Sequence, residues 1–91
     1  MIRNITAGRE VFTVDYTDAR TMKHRPHVKP VTLTGERPPL NDGKAVVGIK
    51  YVHWYYGTTS SEALPEHLFP TVESAMADYR RQWGTDCERS L

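Results

Sequence analysis

Cysteine is nearly missing from this chain of 91 residues: Cys87 is the only one. That excludes an intramolecular disulfide framework and a cysteine-built zinc ribbon. An excess of one charge is missing too, since 12 basic and 11 acidic residues leave a formal net charge of +1. Such a balance exerts no long-range pull on nucleic acid or an anionic membrane, so electrostatic attraction has to come from a local patch. No apolar run approaches the roughly 18–20 residues of a membrane span, and the first residues lack a hydrophobic signal core. These absences lead to the expectation of a cytoplasmic protein in a reducing compartment, with no membrane partner. There is also no glycine-rich phosphate loop, nucleophile elbow or paired-carboxylate signature. The expectation is therefore a protein that is not an enzyme and carries no cofactor.

What is present suits a folded domain. The hydrophobic fraction is 38% and the charged fraction 25%, values typical of soluble globular chains and not of disordered ones. A chain of this length holds one core. The boundaries expected are a single domain over residues 1–84 and a polar, frayed tail over 85–91.

Along the chain, Ile2 to Thr6 reads as a short strand, Ala7-Gly8 as a turn, and Arg9 to Tyr16 as a second strand. In that second arm Phe12, Val14 and Tyr16 share one face by the two-residue period of extended chain. Asp18 to Lys29 reads as an exposed basic connection, followed by a strand at Val28 to Thr34. Pro30 lacks an amide donor, which pushes that strand toward a sheet edge or delays its start. Gly35 to Gly43 carries loop residues, ending on the turn signal Asn41-Asp42-Gly43. Lys44 to Tyr56 then reads as one long strand. Its 13 residues exceed the usual length, so a bend or bulge is expected at Gly48. Gly57 to Pro70 reads as a second long loop.

The last element is a helix from Thr71 to Trp83. Thr71 supplies a cap, Glu73 complements the dipole, and Gly84 is a natural stop. Val72, Ala75, Met76, Tyr79 and Trp83 fall on one helical face, which is expected to cover the sheet. The fold class predicted is α+β: an antiparallel three- to four-stranded meander with one C-terminal helix packed on one face.

Candidate functional residues concentrate in the long strand, where Tyr51, Trp54, Tyr55 and Tyr56 are four of the nine aromatic residues. With His53 they form a potential contact surface, because Tyr and Trp combine large area with a polar handle. A basic stretch is the second cluster: Arg20, Lys23, His24, Arg25, His27 and Lys29 are six of the ten residues from 20 to 29. Arg80 and Arg81 on the solvent side of the helix extend the charged rim. Metal binding would have to draw on His24, His27, His53, His67 and Cys87, but beyond His24 and His27, three apart, no second ligand pair has zinc spacing, so no site is expected. His53 near Asp15, or Ser60 and Ser61 near His67, are pairings without a motif behind them. Cys87 between Asp86 and Glu88 is a poor nucleophile, since neighbouring carboxylates raise a thiol's pKa.

The expectation is an accessory or regulatory protein acting by protein–protein binding. Its anchors would be Tyr51, His53, Trp54, Tyr55 and Tyr56, rimmed by Arg20, Lys23, Arg25, Arg80 and Arg81. The partner would be another protein or a second copy, because a small sheet leaves an open edge or face. The small size and lack of motifs are in keeping with short accessory proteins of bacterial and phage genomes. The alternative is binding of single-stranded nucleic acid, with bases stacked on Tyr51, Tyr55 or Trp54 and phosphates held by the basic loop. A third reading is a small-molecule sensor, for which a pocket beside Trp54 would be the sign.

Overall fold

Four antiparallel strands run in chain order, β1 (Glu10–Thr17), β2 (His24–Arg37), β3 (Val46–His53) and β4 (Gly57–Ala63), and pair as a β1-β2-β3-β4 meander. This is a computed structural model, and it describes Ile2 and residues 4–89. A 3-10 turn at Pro65–His67 leads to α1 (Val72–Trp83), and a two-residue strand β5 (Glu88–Arg89) returns parallel to β2. The α+β meander with one C-terminal helix is thus the architecture of the chain.

Register puts Phe12 opposite Pro30 and Val14 opposite Val28. These residues share a face with Tyr16, and α1 lies across it. Val28, Phe69, Val72, Ala75, Tyr79 and Cys87 are buried there, with Phe12, Val14 and Met76 packed against them. The opposite face carries a second cluster of Val11, Val31, Leu33, Val47 and Ile49, closed by Ile2 and Leu68. The sheet therefore separates two small cores, which suits a chain too short to build one large one.

The helix forms as its ends direct. The Thr71 side chain accepts from the Ser74 amide at 3.1 Å, and the Ser74 hydroxyl accepts from the Thr71 amide at 3.2 Å. Together they form a capping box that satisfies orphan donors of the first turn. Gly84 takes the left-handed conformation, φ 74°, and its amide donates to Arg80 O.

Several expectations need correction. Of the strand expected at Ile2 to Thr6, the described residues, Ile2 and 4–6, lie in no strand, yet Ile2 is buried in the second core. The strand expected at Val28 to Thr34 runs from His24 to Arg37 and is central, despite Pro30. Phe12 exchanges its backbone hydrogen bonds with Phe69, on the far side of β1. The Phe12–Pro30 pair is therefore a non-hydrogen-bonded one, and the position of the missing amide faces the other edge. On that edge β5 pairs only with His27 and Val28, while β3 begins at Thr32. Pro30 sits in the gap between the two partners, where no donor is required.

Lys44 to Tyr56 is not one strand either. β3 ends at His53, residues 54–56 turn, and Gly57, at φ 70°, opens β4. The bulge expected at Gly48 lies across from it, on β2, between Leu33 and Gly35. Gly48 has a different constraint: a Cβ there would stand 2.2 Å from Thr34 Oγ1 and 2.9 Å from Arg37 Nε. Of the tail at 85–91, Cys87 is buried and residues 88–89 are paired to β2. Ser90 and Leu91, like Met1 and Arg3, lie outside the described residues. Finally, Trp83 does not cover the sheet. It is 61% exposed and meets the ring of Tyr79 at 6.3 Å between centroids.

Candidate functional site: an aromatic hairpin tip beside a splayed cleft

The β3–β4 hairpin carries its aromatic residues on the tip. Trp54, Tyr55 and Tyr56 occupy the turn and are 52%, 71% and 75% exposed, and Val52 just before them is 81% exposed. His53 organises the turn: its Nδ1 accepts the amides of Tyr55 at 3.0 Å and Tyr56 at 3.2 Å. Those two acceptances place the ring proton on Nε2. The rings pack on one another, with centroids 4.9 Å apart for His53–Tyr56, 5.0 Å for Tyr55–Tyr56 and 5.5 Å for Trp54–Tyr55. Edge-to-face stacking of this kind holds a turn in one shape. The tip is a preorganised cluster of exposed aromatic side chains.

Below the tip, β3 parts from β2. Their pairing stops at Thr32 and Lys50, although β2 continues back to His24 and β3 forward to His53. The splay leaves an open cleft of about 560 Å³. Asp15, His27 and Lys29 line one side and Tyr51, His53 and Trp54 the other, with Arg20 in the β1–β2 turn and Arg25 at the start of β2. The Lys29 ammonium donates to Asp15 Oδ2 at 3.0 Å and stands 4.0 Å from the centroid of the Tyr51 ring. Tyr51 is therefore already engaged by a cation, an attraction of about 0.5–1 kcal/mol where partly exposed. Burial pushes the Asp15 carboxyl up, but Lys29 and the Thr17 amide together outweigh it and hold it below the usual carboxylate range.

The charged rim is less available than its sequence suggests. Arg25 pairs with Asp18 at 3.2 Å and Glu88 at 2.7 Å. Arg80 reaches Asp86 at 3.7 Å, and Arg81 pairs with Asp78. Among the described residues Arg20 and Lys23 make no ion pair. The cleft brings together Arg20, Arg25, Tyr51, His53 and Trp54. Lys23, Tyr55, Tyr56, Arg80 and Arg81 do not line it, and the two helix arginines lie on the element that packs against β1 and β2.

Asp15, His27 and Lys29 line the cleft too, residues that sequence reasoning noted as a possible His53 partner and as part of the basic stretch but left out of the partner-binding set. Alternation placed Asp15 opposite the Phe12 face, but the strand register that sets it beside Lys29 is a tertiary fact. His24 and His27 stand three apart on β2, which turns them to opposite faces. His24 stacks on Tyr16 at 6.4 Å, and His27 Nδ1 bonds Arg25 O at 2.7 Å. No cluster of three metal-ligating side chains occurs among the described residues. Burial, and to a lesser degree Asp86, pushes the Cys87 thiol up, so little of it is thiolate at neutral pH. Among the described residues no helix is long and apolar enough to cross a membrane.

Searches of protein-family models, of curated proteins and of solved structures find no match for this chain.

Proposed function

We propose that this protein acts by docking on a partner protein through the β3–β4 hairpin tip, as an accessory or regulatory subunit. The supporting observation is the exposure of Trp54, Tyr55 and Tyr56 on a turn already ordered by His53. Aromatic side chains held in their bound shape lose little entropy on association, which is why such residues anchor interfaces. Arg20 and Lys23, which make no ion pair among the described residues, supply the charged rim. Arg25, Arg80 and Arg81 contribute only where a partner's carboxylate displaces the one they hold.

Single-stranded nucleic acid is the second reading, favoured by the cleft that sets Arg20 and Arg25 across from His53 and Trp54. Two observations weigh against it: Lys29 occupies the Tyr51 ring, and Arg25 is doubly paired.

A photo-crosslinking amino acid at position 55, in the chain expressed in its source cells, separates the readings. The docking reading expects one protease-sensitive adduct that disappears when Trp54→Ala is added and persists at high salt. A nuclease-sensitive adduct lost at high salt would install the nucleic-acid reading. Absence of any adduct would overturn both.

A further inference from the structure

The two outer edges of the sheet are treated differently. Phe69 bridges to β1 through Phe12, with both backbone bonds at 2.8 Å. Among the described residues nothing pairs with the outer edge of β4. Edge strands are ordinarily protected by proline, by charged side chains, lysine above all, or by a bulge. β4 reads Gly-Thr-Thr-Ser-Ser-Glu-Ala and pairs with β3 without a register shift. It has neither proline nor bulge, and Glu62 is its one charge.

Which backbone groups are free follows from the ladder. Leu33 accepts from Gly8 at 2.8 Å and donates to Arg9 at 2.9 Å, so its groups turn away from β3. Alternation then turns Ile49, its partner, toward β4, and bonds Ser61 to Ile49. By the same period Gly57, Thr59, Ser61 and Ala63 face β3. Thr58, Ser60 and Glu62 aim their N–H and C=O groups at the open edge.

We infer that this edge pairs with the same edge of a second copy, antiparallel, about a twofold axis through Ser60. In that register Ser60 faces Ser60, and Thr58 faces Glu62 at both ends. Every outward-facing residue then meets another, and each pair exchanges two hydrogen bonds. The register is self-complementary, as a twofold contact must be. It sets no like charges opposite each other, since Glu62 meets Thr58. A slip by one residue would bring inward-facing groups to the edge, and a slip by two would leave one outward-facing residue of each copy unpaired, so this register pairs the most groups. The two sheets become one continuous sheet, and the two aromatic tips stand at opposite ends of the joined edge. The contact is separate from the tip, which stays free to dock, and a dimer presents it twice.

Light scattering during size-exclusion chromatography over a concentration series tests the inference. The expected mass rises to twice the 10.4 kDa of one chain. Ser60→Lys sets two ammonium groups face to face across the axis and raises the dimer's Kd by roughly tenfold or more. Ser60→Cys gives a disulfide-linked dimer under mild oxidation, because a hydrogen-bonded pair spaces its Cα atoms about 5.5 Å apart, within disulfide reach. Cys87, buried, gives no such product in the unmodified chain. Trp54→Ala leaves the dimer unchanged while abolishing the docking proposed above. A monomer at every concentration, a dimer indifferent to Ser60→Lys, or a dimer lost with Trp54→Ala would each overturn the pairing.

Discussion

The β1–β2 half and the β3–β4 half of the sheet are built from the same kind of hairpin and end in opposite states. Over β1 and β2 the helix closes one face, Phe69 guards the outer edge, and Val11, Val28 and Val31 are buried. Over β4 and the end of β3 the corresponding face carries Lys50, Val52, Thr58, Ser60 and Glu62, all exposed, and the edge is open. Both halves contain aromatic residues, but Phe69 and Tyr79 are inside and Tyr55 and Tyr56 outside. Stability therefore resides in the first half and in the start of β3, where Val46, Val47 and Ile49 are buried, and the rest of the second half is free to present surface. A domain this small has few kilocalories to spare, so dividing the two roles between halves limits their conflict.

An aromatic truncation in each half measures that division most directly. Phe69→Ala is expected to lose about 3–5 kcal/mol, enough to unfold much of the population. Tyr55→Ala, at the tip, should stay within about 0.5 kcal/mol. Urea denaturation followed by circular dichroism reads both, and equal losses would break the contrast.

A smaller effect is expected at the seam between the halves. Gly48→Ala places its methyl against Thr34 and Arg37 and should cost about 1–3 kcal/mol by overpacking. Adding Thr34→Ala should recover much of the loss, measured by the same unfolding curves. If it does not, the constraint on Gly48 lies with the Arg37 side chain and not with Thr34.

The smallest effect is electrostatic. The Asp15 carboxyl has a folded pKa below its ordinary value of 3.8. A depressed pKa contributes stability that is fully present above the unfolded value and is lost as pH falls through the folded one. Unfolding midpoints taken from pH 6 down to pH 2 should therefore drop, and Asp15→Asn should flatten part of that drop. The pair is partly exposed, which limits its share to under about 1 kcal/mol. A profile identical in the variant would show that the Lys29 contact contributes nothing to stability.

Much of the fold was legible in local chemistry. The helix could be read from Thr71, the apolar stripe and Gly84, since caps and period act within one element. The meander followed from extended segments ahead of a single helix. The division of Lys44 to Tyr56 was not legible, because Trp and Tyr favour strands and this turn takes its shape from His53 and Gly57. β4 escaped notice because its Thr and Ser residues show no apolar face, and an edge strand with one bare face needs none. The candidate site was half legible. The aromatic cluster and the basic loop were evident as residue types. That Arg25, Arg80 and Arg81 are paired, and that Lys29 sits over Tyr51, was not.

The sequence by itself determined the class of fold and the one helix, because hydrophobic period, capping residues and glycine act over a few neighbouring positions. It also held the exposed aromatic side chains, Trp54, Tyr55 and Tyr56, on which the proposed docking rests. Only the tertiary structure decided that Pro30 lies in a central strand, that Cys87 is buried, and that Trp54 and the tyrosines after it stand on a turn. Each of those depends on strand register, which places residues far apart in the chain opposite one another. Register is settled by the joint packing of two cores across the sheet, not by the preference of any one segment.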